Sequence, residues 1–168
     1  MSESMWAADR IQVDVSGFFT THHRFQTGAG ELGELTLPAF SRQGEFTSVD
    51  GRTLAMVRTN WWRGEYKLRE GGMVLAHART RGVFRNAVEV RFGGWDYELR
   101  RLGVLKRGWR LVDQGGMALL EVYPKGVFKR GAVLEVLGRI DVDLLAFSYY
   151  LVHRRWQEET TAAAAAAS

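Results

Sequence analysis

From Leu144 to Val152 the chain reads Leu144-Leu145-Ala146-Phe147-Ser148-Tyr149-Tyr150-Leu151-Val152, and only Ser148 interrupts its apolar character. Placed at 100° per residue, these side chains cover nearly every face of a helix. A helix that is apolar all round has to be enclosed, in a protein core or in lipid. A membrane span needs about 20 apolar residues, so this stretch is too short for lipid. The remaining solution is a helix surrounded by sheet. Asp141 or Asp143 is placed to cap it, and Arg154, Arg155 and Trp156 are expected to mark its exit into solvent, with cations at the negative helix end. The expected helix spans about residues 142–156, followed by a disordered Ala-rich tail over 160–168.

Upstream, the patterning changes to period two. Apolar and polar residues alternate at Glu65-Tyr66-Lys67-Leu68-Arg69, at Val88-Glu89-Val90-Arg91-Phe92 and at Trp95-Asp96-Tyr97-Glu98-Leu99, as half-buried strands do. Asp50-Gly51, Gly71-Gly72, Gly93-Gly94 and Gly115-Gly116 separate these stretches, with lesser breaks at Gly82, Gly103 and Gly126. Such pairs reach the positive-φ conformations of tight hairpins. A shift of 44 positions superposes Arg63-Gly64 on Arg107-Gly108, Gly71-Gly72-Met73 on Gly115-Gly116-Met117, and Gly82-Val83-Phe84 on Gly126-Val127-Phe128. A half-length echo places Leu54-Ala55 before Leu75-Ala76. Repeated hairpins imply a sheet of similar units. The expected fold is mainly β: a closed antiparallel β-barrel threaded by its C-terminal helix.

The chain has 168 residues, 46% hydrophobic and 25% charged, which fits one globular domain over about 1–159 and excludes wholesale disorder. It has no Cys, which excludes a disulfide framework and thiolate metal sites. Residues 1–10 hold Glu3 and Asp9 and no apolar run, unlike a secretory leader. The expected location is cytoplasmic, with peripheral contact at a membrane and no transmembrane segment.

The order of hairpins, the turn Asp50-Gly51 leading into Leu54-Ala55-Met56-Val57-Arg58, and the Gly-Gly turns followed by Leu-Ala-type strands resemble the tubby-like superfamily. Its LURP-one-related and phospholipid scramblase branches are the most similar. Ile140-Asp141-Val142-Asp143-Leu144 resembles the Asp-x-Asp lead into the scramblase C-terminal helix. The resemblance covers roughly residues 30–156 and implies a barrel of about 12 strands around a hydrophobic helix. It also implies phosphoinositide or other lipid contact through basic residues on the barrel. The chain departs from scramblases in lacking a Pro-rich N-terminal region, a Cys-rich acylated segment and a longer acidic calcium loop. Asp141 and Asp143 stand without further carboxylates nearby, which fits helix caps better than calcium ligands.

No catalytic constellation stands out. Gly28-Ala29-Gly30-Glu31-Leu32-Gly33 matches a dinucleotide fingerprint, but the strand-like Glu34-Leu35-Thr36-Leu37-Pro38 follows where a helix N-terminus is needed. His22, His23, His77 and His153 form no metal-ligand spacing and read as unrelated surface or edge residues, His153 at the wet end of the helix. Asp96 and Glu98 share a strand face and read as its solvated side, opposite Trp95, Tyr97 and Leu99. Of the adjacent Trp61 and Trp62, one is expected to face the core and the other the outside.

Charge is the informative signal. The net +4 is uneven: residues 79–130 carry 12 basic and 5 acidic groups, a net +7, while 1–78 carry −1 and 131–168 carry −2. Arg79, Arg81, Arg85, Lys106, Arg107, Lys125, Lys129 and Arg130 are the candidate anion-binding residues. The functional expectation is a non-enzymatic module, with no cofactor or metal, that binds anionic membrane lipid headgroups or a phosphorylated ligand. The alternative is a protein-interaction scaffold. No nucleic-acid motif accompanies the basic block.

Overall fold

The computed structural model describes residues 4–5, 10–82, 86–103, 105–126 and 129–168. Its strands are β1 (Ser4–Met5), β2 (Arg10–Ser16), β3 (Thr20–Thr27), β4 (Gly30–Pro38), β5 (Gln43–Ser48), β6 (Thr53–Asn60), β7 (Glu65–Glu70), β8 (Met73–Arg81), β9 (Ala87–Phe92), β10 (Trp95–Arg101), β11 (Trp109–Asp113), β12 (Ala118–Pro124), β13 (Gly131–Val136) and β14 (Ile140–Asp141). One helix, α1 (Val142–Ala166), follows them. Strands β2 to β13 form a closed barrel of 12 strands, each paired antiparallel with its sequence neighbours. The ring closes where β13 meets β2, with Ala132 opposite Val13 and Leu134 opposite Ile11. β1 and β14 form a separate two-stranded ribbon.

The alternation of buried and exposed residues follows from closure. Ile11, Val13, Phe25, Leu35, Phe46, Leu68, Val90 and Leu134 point inward, while Arg24, Glu45, Arg69, His77 and Arg91 face water. Every residue of α1 from Val142 to Val152 is buried. Tyr149 meets the edge of Phe25 at 5.1 Å and Tyr150 that of Tyr66 at 5.9 Å, geometries the ring quadrupoles favour. At the closing seam Gly131 has φ +123°, and a Cβ there would lie 2.2 Å from the carbonyl oxygen of Val13. Glycine lets the last barrel strand reach the first.

An all-neighbour barrel places alternate connections at opposite ends. The tight Gly-Gly turns, 71–72 and 93–94, lie at the end where α1 enters. There Asp141 caps the helix, its carboxylate accepting from the Asp143 backbone N–H at 2.8 Å. Asp143 is a buried ion-pair partner: Arg52 reaches it at 2.9 Å and also holds Glu70 at 3.0 Å. Burial pushes the Asp143 carboxyl above the usual range, and Arg52 pulls the other way.

Three expectations are corrected. α1 does not stop near 156 with a disordered tail; it runs 25 residues to Ala166. Alanine is the best helix former, and the Thr160 and Thr161 hydroxyls donate back to the Trp156 and Gln157 carbonyls at 2.9 and 3.0 Å. Arg155 and Trp156 are buried, so the exit into solvent begins at Gln157. Trp61 and Trp62 are both exposed, because they occupy the connection between β6 and β7 and not a strand.

Candidate functional site

The six connections at the end where α1 leaves the barrel are residues 17–19, 39–42, 61–64, 82–86, 102–108 and 125–130. Their sequences contain no Asp or Glu, and at described positions they carry Arg42, Arg63, Lys106, Arg107, Lys125, Lys129 and Arg130. The helix is tied to this end by four contacts. Trp156 Nε1 donates to the Arg107 carbonyl at 2.9 Å, Arg58 pairs with Glu158 at 2.9 Å, Arg101 pairs with Glu159 at 3.1 Å, and Arg154 donates to the Ser41 carbonyl at 3.5 Å.

Of the eight candidate residues, Lys106, Arg107, Lys125, Lys129 and Arg130 come together at this end. Lys125 is ion-paired with Asp14, and Arg130 donates to the Gly17 carbonyl at 2.7 Å. Arg79 and Arg81 stand apart on the outer wall of β8. Arg79 lies opposite Glu65 and Glu89 in register, and Arg81 pairs with Glu89 at 2.8 Å, so the wall there is neutralised. Arg85 lies outside the described residues, as do Val83, Phe84, Val127 and Phe128 of the repeat. Glu158, Glu159 and Asp14 are each matched by a cation, while Glu135 borders a separate recess with Lys106 and Arg107. Arg42, Arg63, Lys106, Arg107 and Lys129 make no ion pair among the described residues.

Arg42 and Arg63 escaped the charge count because they sit in a segment whose overall balance is −1. The usable signal was positional: with Gly-Gly turns assigned to one end, the intervening connections must share the other.

At the helix exit, Val15, Thr21, His23, Arg130, Tyr149, His153, Arg154 and Thr160 help line a recess of about 580 Å³. His23 is fully buried, which corrects its reading as a surface residue. Thr21 Oγ1 donates to the Leu37 carbonyl at 3.3 Å, so it accepts from His23 Nε2–H at 2.9 Å. That tautomer leaves His23 Nδ1 to accept from the Tyr149 hydroxyl at 2.7 Å. His153 stacks its edge on His23 with ring centres 4.7 Å apart. Burial, then His153 and Arg130, lower His23 to about 3, and burial, then Arg154 and Arg130, lower His153 to about 4. The recess is therefore lined by neutral imidazoles and two guanidinium groups, and no carboxylate borders it.

No family model matches the chain, and no curated protein matches it. Among solved structures, the X-ray structure of a protein from Arabidopsis thaliana is similar, with a TM-score of 0.60 over 90% of this chain and 94% of that one, at 14% identity. At that identity the likeness concerns the fold alone.

Proposed function

We propose that the chain is a non-enzymatic binding module that holds phosphate-type anions, foremost anionic lipid headgroups, at the helix-exit end of the barrel. One observation carries this reading: six connections converge on that end with seven basic residues at described positions and no carboxylate in their sequences. Basic residues near an anionic membrane contribute about 1 kcal/mol each. The recess beside Arg130 and Arg154 adds a concave place for one phosphate group, lined by two guanidinium groups and no carboxylate. The non-enzymatic part is supported by the helix filling the barrel centre, where an enclosed active site would otherwise lie. Membership of the tubby-like superfamily belongs to the same proposal. That family also builds a 12-strand barrel around a hydrophobic helix and includes phosphoinositide binders.

Flotation with phosphatidylcholine vesicles, with and without phosphatidylserine, tests the reading. Binding is expected only to the anionic vesicles and should weaken as salt rises, because screening shortens the reach of surface charge. The triple reversal Lys106→Glu, Lys129→Glu, Arg130→Glu should abolish it, while Arg79→Gln on the neutralised wall should not. Competition by soluble inositol hexakisphosphate separates a headgroup-type phosphate site from a requirement for the bilayer itself. Absent or salt-insensitive binding overturns the proposal.

A further inference from the structure

Resting on that reading, we infer that the partner is the surface of an anionic bilayer, met end-on, with apolar loop tips inserted as wedges around the emerging helix. Four of the six helix-exit connections expose large apolar side chains at described positions. These are Phe18 and Phe19, Phe40, Trp61 and Trp62, and Leu105, with 59% to 98% of each residue open to solvent. A single exposed apolar residue is ordinary. Three successive connections and a fourth that carry them, together with Arg42, Arg63, Lys106, Lys129 and Arg130, have the composition of an interfacial anchor. Aromatic rings settle at headgroup depth, and cations meet the phosphates just above them.

The tips are held by the frame. The Ala39 N–H donates to the Phe19 carbonyl at 2.7 Å, joining two connections, and Arg58 donates to the Trp61 carbonyl at 3.4 Å while pairing with Glu158 of α1. Phe18 packs edge-on against Phe19 at 5.2 Å, as Trp61 does against Trp62 at 4.6 Å. Each pair thus presents one wide apolar knob.

The rest of the surface fixes the orientation. A barrel that spans lipid shows it an apolar band. Here the wall carries Arg24, Glu45, Arg69 and Arg91 outward, so entry is confined to the end that bears the tips and the exposed last turns of α1. The opposite end also exposes Val49, Met73, Trp95 and Met117, but beside Asp50, Glu70, Asp96 and Asp113, which an anionic surface repels. No helix of the described residues is long and apolar enough to cross a membrane, and wedge insertion needs none.

Tryptophan emission reads the inference directly. With phosphatidylserine vesicles whose acyl chains are brominated, emission should be quenched; W61F/W62F should remove that quenching, and W95F should leave it intact. The charge-preserving triple variant Phe18→Ser, Phe40→Ser, Leu105→Ser should weaken vesicle partitioning by about tenfold or more with an unchanged melting curve, since its positions are exposed. Its binding to inositol hexakisphosphate should be unaltered. If the protein floats with anionic vesicles while its emission stays unquenched and the serine variant floats equally well, insertion is wrong and anion binding stands. If it does not float at all, both readings fall.

Discussion

His23 and His153 set the acid limb of stability. Their folded pKa values, about 3 and about 4, lie below the ordinary 6.5, through burial first, then for His23 through His153 and Arg130, and for His153 through Arg154 and Arg130. The unfolded chain takes up protons as pH falls below about 6.5, and the folded one refuses them. Their contribution is therefore full above 6.5 and is lost as pH falls towards 4, at about 1.4 kcal/mol per pH unit for each histidine. Glu34, Glu70 and Glu121 are held below the usual carboxylate range, and stability linked to them is lost only at lower pH. Melting temperature should fall between pH 6.5 and 4.5, and His153→Gln should flatten that slope. A melting temperature constant across this window would refute the assignment. None of this was legible in the sequence, where His23 sits in Thr21-His22-His23-Arg24, a polar run. Only the packing of β3 against α1, 126 positions away, turns it into a core residue.

At the scale of elements, the helix was the legible part, because a segment apolar on every face has few solutions. Its buried span agrees with that reading, and its length does not: the continuation to Ala166 depends on backbone propensity, which a pattern of burial does not report. The strands were legible by alternation and their turns by glycine. The 44-residue shift holds as a displacement of four strands, carrying the turn after β7 onto the turn after β11. The half-length echo does not hold in phase. Leu54 is buried and Leu75 only half-buried, since the register slips between Leu68 and Arg69. The enclosed helix leads to a sharp expectation. Leu145→Asp or Phe147→Asp places a charge where no path to water exists, and should leave no folded protein by circular dichroism. Phe147→Ala should fold but lose about 3–5 kcal/mol in denaturant titrations. A normally folded aspartate variant would remove the threaded helix from the account.

For the whole molecule, closure matters more than any hairpin. The site was half legible: the basic block was visible as composition, but its division between a neutralised wall and a charged end follows from the register of β7, β8 and β9 and from the up-and-down strand order. Arg79 and Lys129 are alike in sequence terms, and only the barrel sends one to face Glu65 and Glu89 and the other to an end whose connections contain no Asp or Glu.

The threaded helix also sets an order in time. All 12 barrel strands precede α1 in the chain, so a ribosome delivers the wall before the post it wraps. Until α1 emerges, Phe25, Phe46, Leu68 and Val90 belong to a curved sheet with an uncovered apolar lining, the kind of surface chaperones engage. Residues 1–139 made alone should therefore be insoluble or bind hydrophobic dyes, and a peptide of residues 140–168 added during refolding should restore a cooperative melt. A cooperative melt of residues 1–139 by themselves would count against this order. Commitment to the native state in this way waits on α1, so the wall must be held open until the segment that fills it has been made.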